Sequence, residues 1–484
     1  MKLKLVVASM SVLGLISTAA FADDADTQPT TTTATTTTTT TAVKKHHHHY
    51  SKTHKKVHHH HHATYHVAQT HEDYKAMGAL PQPVPVVDTH QIMYTAMSQN
   101  TGRATLAMPD WFNRIGVSGG VNFDAHWGNR SQGYEGENVQ RLSLNDAYIN
   151  VGANVNDWAK AFTSISFSNP SGRLSGSIVA PGISVSPLGG QYSNTYNTPN
   201  TINLEQGYVT IANYDVSPIF FQIGKQFTDY GRYTIHPLVR TMTQVMTESL
   251  ATSAKLGFIT QMGFHGDIYA FDNPATQSGQ GHTGTVYGAA LGFDQLNDQL
   301  GFDVGVGYMS NITGVNDINA ALGNNYANAL ASGVATGLGL PSTGTYVHTV
   351  GGLAVYGDVN SGPFALSVRY TQAIQHFNPG DLSTQYNLSS GVAGARPWAL
   401  DVTGGFGFNY WAKNQNLYLG YQTSNNAVNL ALPKNRWIVG YNIDMWKNTN
   451  LGLEYNHDTA YSSGNNAFNH SSNTVGARAS VKFG

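Results

Sequence analysis

The histidines offer the first candidate chemistry. His46, His47, His48 and His49 form one run, and His58, His59, His60, His61 and His62 form another, with Lys44, Lys45, Lys52, Lys55 and Lys56 interleaved. Neutral imidazoles suit zinc, copper, nickel and iron. No acidic or thiol ligand sharpens the site, so a solvated, weakly basic tether with slight affinity for Zn, Cu, Ni or Fe stands beside a metal-capturing arm as the plainer reading. Nothing else in the chain calls for a cofactor. Scattered Ser, His and Asp form no nucleophile–base pair or metal triad at motif spacing, so the sequence does not read as an enzyme. Cysteine is absent, which removes disulfides and Cys-ligated zinc or iron–sulfur centres.

These histidines sit in an N-terminal stretch that positions little. Lys2 and Lys4 precede an apolar run from Leu5 to Ile16, and Ala20-Phe21-Ala22 fits a small-x-small cleavage pattern. Residues 1–22 therefore read as a secretory signal peptide, and the mature chain is expected to leave the cytoplasm through the inner membrane. Residues 23–73 are a Thr/His-rich low-complexity arm, with Thr30 to Thr41 all Thr except Ala34. Without apolar periodicity the arm cannot bury a core and is expected to be disordered. Residues 74–110 contain Pro81, Pro83 and Pro85 and read as an extended linker.

The composition points to an unusual surface. Of 484 residues, 26 are Lys or Arg and 28 are Asp or Glu, so 11% are charged; a soluble domain carries roughly 25%. Gly is 51 and Tyr is 26. The length alone suggests about three soluble domains, but a soluble surface built from so few charges is unusual. The formal net charge of −2 gives no reason to expect nucleic acid as a partner. After the leader no stretch reaches the 18 or so apolar residues of a spanning helix, which leaves open a barrel whose strands alternate.

From Trp111 the pattern takes a period of two. Ile115, Val117, Val121, Phe123, Ala125 and Trp127 alternate with Gly116, Ser118, Gly120, Asn122, Asp124 and His126. The same holds for Phe302 to Tyr308, Phe364 to Tyr370, Trp437 to Met445, Leu451 to Tyr455 and Val475 to Phe483. Successive strand side chains point to opposite faces, so each segment has one apolar and one small or polar face. About 16 such segments can be marked, with register ambiguous at 205–213 and 265–271. Short links (154–157, 215–218, 296–298, 360–363, 413–415, 447–449) alternate with long ones (170–202, 311–345, 375–397, 424–433), as in outer-membrane barrels with short periplasmic turns. Trp111, Trp127, Trp158, Trp398, Trp411, Trp437 and Trp446 fall at segment ends, where amphipathic rings favour a water–lipid boundary. A penultimate Phe483 approximates the terminal aromatic residue of such proteins.

In lipid every backbone polar group must be paired, so the sheet has to close. The fold class is therefore all-β: a transmembrane barrel of about 16 antiparallel strands over residues 111–484, in the size range with an aqueous bore. The expected setting is the bacterial outer membrane, with the lipid bilayer as partner and the oligomeric state left undecided.

A block in the first half also resembles a known family. Glu205-Gln206-Gly207-Tyr208-Val209-Thr210 leads to Ser217-Pro218-Ile219-Phe220-Phe221-Gln222-Ile223-Gly224-Lys225-Gln226, then Tyr230-Gly231-Arg232 and His236-Pro237-Leu238. Together with Asn145-Asp146-Ala147-Tyr148-Ile149, this resembles the LbtU-type siderophore porins, the legiobactin-receptor family, over about residues 110–484. The resemblance implies an outer-membrane barrel that takes up ferric siderophore. Such a ligand is bulky and often anionic, and Arg and Lys supply charge-assisted donors to its oxygens. The candidates are Lys225, Arg232, Arg240, Arg369, Arg396 and Arg478; the alternative for each is a solvated charge, or one paired with Asp303, Asp401 or Asp444. Energised receptors carry about 22 strands and a folded plug. Here only the arm precedes the barrel, so a plug-less passage without energy coupling is expected. A porin for sugars, peptides or phosphate, or a surface barrel with partner-binding loops, remains open: the abundant Tyr and Asn suit other small solutes equally well.

Overall fold

The computed structural model describes residues 115–129, 139–168, 201–214, 216–232, 240–260, 262–278, 283–296, 300–322, 345–385, 392–446, 448–461 and 471–483. The leader, the His-rich arm, the linker and Trp111 lie outside these residues, as do the boundaries expected for them.

The strands are β1 (Ile115–Asn129), β2 (Val139–Asn154), β3 (Ala159–Ser168), β4 (Thr201–Ala212), β5 (Ile219–Phe227), β6 (Leu250–Ile259), β7 (Phe264–Gln277), β8 (Thr283–Leu296) and β9 (Gly301–Met309). They continue as β10 (Thr345–Tyr346), β11 (Gly352–Ser361), β12 (Phe364–Ala373), β13 (Trp398–Tyr410), β14 (Lys413–Asn425), β15 (Asn435–Trp446), β16 (Thr449–Thr459) and β17 (Ser472–Phe483). β10 is two residues long and lies parallel to β7. The other sixteen pair antiparallel with their neighbours in sequence, and β1 pairs with both β2 and β17, so the sheet closes.

The face each side chain takes follows the alternation. Phe123, Ile223, Leu291, Val306, Leu419 and Val439 are exposed on the outside, while Asp124, Gln222, Lys255, Arg369, Gln422 and Glu454 are buried on the inside. An exterior so uniformly apolar is stable only against lipid. Trp127, Trp398 and Trp437 stand near the long-loop ends of their strands, and Trp158, Trp411 and Trp446 near the short turns, which marks two boundaries of the apolar band. Tyr421 packs against Trp437 with ring centroids 4.7 Å apart, and Tyr370 against Trp398 at 6.2 Å.

The abundance of Gly and Tyr has a packing reason. The interior rings of Tyr269, Tyr356 and Tyr418 lie across Gly288, Gly305 and Gly440, where a Cβ would occupy the space of the ring. A flat ring over a bare backbone fills the inner wall without crowding it.

Two expectations shift. The link placed at 413–415 is the start of β14; the turn is Trp411-Ala412, with φ 52° and 55°. Neither residue favours the left-handed region, so no turn signal exists in sequence, whereas the polar Lys-Asn-Gln run imitates one. The ambiguous register at 205–213 comes from a bulge: Ser164 pairs with Gln206, and Ile165 with Leu204, leaving Glu205 as the extra residue.

The interior is not lined by strand side chains alone. Segments following β5, β9 and β12 fold inward at the long-loop end. There Tyr230, Met242, Val245, Met246, Ile312, Val315, Ile318, Phe377 and Leu382 form one apolar core with inner-wall residues Tyr269, Phe271, Val286, Met309, Ala354 and Ala399. The leading segment carries helix α1 (Met242–Thr247), capped by Thr241, whose Oγ1 accepts from the Gln244 amide at 3.1 Å. This packing also explains the blurred alternation at 265–271, since Tyr269 and Phe271 face apolar neighbours on the inside.

Candidate functional site: the charged interior

The segment between β5 and β6 brings cations to two walls of the barrel. It leaves the sheet at Thr228, whose amide donates to the Ser249 carbonyl at 2.9 Å. Tyr230 then seats against Gly307 and Gly352, and its hydroxyl lies 3.4 Å from Thr371 Oγ1. Arg232 follows; it is ion-paired to Asp303 on β9, its NH2 lies 3.3 Å from His265 Nε2 on β7, and its guanidinium stands 4.4 Å from the Tyr356 ring centroid on β11. Beyond residues 233–239, Arg240 offers its carbonyl to Arg436 NH1 of β15 at 3.0 Å, and the Met242 amide donates to Gln422 Oε1 of β14 at 3.2 Å.

The candidate cations are placed as follows. Arg240 NH1 and NH2 donate to the two carboxylate oxygens of Asp317 at 3.0 and 2.8 Å, with Glu248 at 3.4 Å. Arg369 is 1% exposed and holds Asp358 through NH2 at 2.8 and 2.7 Å. Arg478 grips Asp124 in a fork, both contacts 2.6 Å; these two residues face each other across the β1–β17 seam and tie the barrel closed. Arg396 is exposed at the long-loop end, and its Nε donates to the Ala373 carbonyl at 3.0 Å. Lys225 has the outward parity of Ile223 and Phe227, and its Nζ donates to the Leu204 carbonyl at 2.7 Å, so it is not an interior charge. Polar or small residues occupy both parities through Gly224-Lys225-Gln226, which is why alternation gives no face for it. The candidates do not converge on one pocket.

Of the carboxylates foreseen as partners, Asp303 takes Arg232. Asp401 lies directly across from Arg369 in register, yet the guanidinium turns to Asp358, and Asp401 accepts from Gln422 at 3.3 Å and Thr403 at 3.0 Å. Asp444 accepts from Asn450 at 3.0 Å and Asn414 at 3.5 Å. Among the described residues, sequence reasoning missed two buried interior cations. Lys255, on β6, is 2% exposed and meets Asp229 at 2.5 Å; Arg436 forks Asp458, its register partner on β16, at 2.6 and 2.8 Å. Their inward parity was the signal that could have found them. Among the described residues no group of three or more His, Cys, Asp or Glu is placed to hold a metal ion; the arm's nine candidate histidines lie outside that set.

No family model matches the chain. A UPF0422 protein of Legionella pneumophila strain Philadelphia 1 is 28% identical over 326 residues, covering 66% of this chain and 54% of the relative. A UPF0422 protein of Coxiella burnetii is 24% identical over 285 residues, covering 58% of this chain and 56% of the relative. The chain spans about half the length of the curated relatives it matches, and their names do not mention siderophores. Among solved structures, the outer membrane channel DcaP of Acinetobacter baumannii aligns with a TM-score of 0.46 at 13% identity, covering 76% of this chain and 97% of that one. An anion-selective porin from Comamonas acidovorans aligns at 0.47 and 10% identity, covering 76% and 99%. Pseudomonas putida OprB aligns at 0.48 and 11% identity, covering 76% and 94%. The closed strand register, not these likenesses, carries the fold.

Proposed function

We propose that the chain forms an outer-membrane channel of the porin kind, through which small polar solutes diffuse. The observation that carries this reading is the closed sixteen-strand wall, apolar outside and polar inside. Such a wall satisfies its own backbone in lipid and leaves a hydrophilic interior for water and solutes.

Uptake of ferric siderophore is the finer reading, supported by the sequence block around residues 205–238. The interior charges favour the simpler channel. Arg232, Arg240, Arg369 and Arg478 each already hold a carboxylate, and Lys225 faces outward. An anionic chelate entering the interior has to compete with these pairs.

The test is purified protein in planar bilayers and liposomes. Ohmic conductance and swelling with small neutral solutes, indifferent to added ferric siderophore, are expected. Saturable block or flux by one ferric siderophore would move the assignment to a receptor. Absence of any conductance or swelling from correctly folded protein would remove the channel reading.

A further inference from the structure

Among the described residues, the buried interior cations come with carboxylates, and on one wall carboxylates outnumber cations. Arg436 is matched by Asp458 and Arg478 by Asp124 on the wall running from β13 to β17 and β1. The same wall carries Asp401, Glu454 and Asp444, and its one further inward cation among the described residues is the exposed Lys482 at the short-turn end, so the inward charges of these strands are net negative.

Register places these three acids as steps down the wall. Asp401 lies level with Gln422 and Arg436 near the long-loop end. Glu454 lies level with Gly440, Tyr418 and Gly405, four residues lower on each strand. Asp444 lies level with Asn450, four residues lower again, near the short turns. At about 3.4 Å per residue the steps are roughly 14 Å apart along the strands. Their neighbours orient them: Tyr418 donates to Glu454 at 2.8 Å, Gln422 to Asp401, and Asn414 and Asn450 to Asp444.

A second observation points to a ligand. Asn416 faces inward beside Asn442, between the levels of Glu454 and Asp444. It is 4% exposed, and its Oδ1 has no hydrogen-bond partner among the described residues. A buried acceptor without a donor is costly unless a visiting group supplies one. An ammonium or hydrated cation does so.

We infer that this wall is a cation path, and that the channel passes small organic amines and hydrated metal cations in preference to anions, with Glu454, Asp444 and Asn416 forming the position at which they pause. The inference rests on the channel reading above and adds its substrate class. Carboxylate rings are a physical means of cation preference in pores, because they replace part of the ion's hydration.

The test is the reversal potential of the full chain in a potassium chloride gradient, with spermine as the amine probe. The expected result is a reversal potential toward the potassium limit and millimolar block by spermine. The double variant Glu454→Gln/Asp444→Asn, near-isosteric and checked for its heat-dependent electrophoretic shift, is expected to move the potential toward zero and to lose most of the block. A chloride-directed or zero potential in the unsubstituted protein overturns the inference while leaving a channel. Unchanged selectivity in a folded double variant overturns the assignment to this wall. No conductance at all removes both readings.

Discussion

Removing the carboxylate of Asp358 tests whether the interior ion pairs hold the wall together. Asp358 accepts both NH2 contacts of Arg369, at 2.8 and 2.7 Å, and the Ser367 hydroxyl at 2.6 Å. Apart from that fork, NH1 of Arg369 reaches the Gly357 and Val368 carbonyls at 3.1 and 3.0 Å, which cannot neutralise it. With its side chain 1% exposed, the guanidinium has little water to fall back on. Asp358→Ala therefore leaves a buried charge unpaired, a situation that costs about 3–5 kcal/mol. Arg369→Met strands Asp358 in the same way. The double variant Asp358→Ala/Arg369→Met leaves no stranded charge and is expected to cost well under the sum of the singles, a coupling of about 2–3 kcal/mol. Urea titration of the barrel refolded in lipid vesicles, followed by Trp fluorescence, measures all three. A single-variant cost under about 1 kcal/mol, or strict additivity in the double, would refute the reasoning, because both mean that solvent or another group stabilises the guanidinium.

Gly307→Ala is expected to unseat the inward segment, since a Cβ there runs into the Tyr230 carbonyl; single-channel conductance should rise and stability fall, and an unchanged conductance would show that this contact does not shape the path. Leu419→Arg, mid-strand on the outer face, is expected to cost about 2–4 kcal/mol in vesicles, and a neutral result would take that face out of lipid. Burial pushes the Asp381 carboxyl, in the connection after β12, up to about 6, although the Val347 amide donates to it. Its protonated form is favoured in the fold, so its stabilising share is full below the usual carboxylate value and is lost as pH rises through about 6, by up to about 3 kcal/mol. Asp381→Asn is expected to flatten the pH dependence of stability between 4 and 7; an unaltered slope would mean that Asp381 is not its source.

The sequence by itself determined the wall. Alternation in stretches such as Phe364 to Tyr370 sets which side chains meet lipid, because a strand has no other way to separate its faces. Backbone pairing in lipid then forces closure, and the Trp positions mark its two rims. The interior is another matter. Period two says that Arg369 points inward but not whether it meets Asp401, opposite in register, or Asp358 on the other neighbouring strand; the direction in which the guanidinium turns decides that. Lys225 sits in a run polar on both parities, so only the folded sheet gives its face. The turn at Trp411-Ala412 is imposed by the pairing of β13 with β14 and has no local signal. Above all, the inward fold of the chain after β5, with Arg232 on one wall and Met242 on another, depends on contacts far apart in sequence. Those contacts exist only once the barrel has closed around them, and so the tertiary structure alone settles which charges are free to meet a solute.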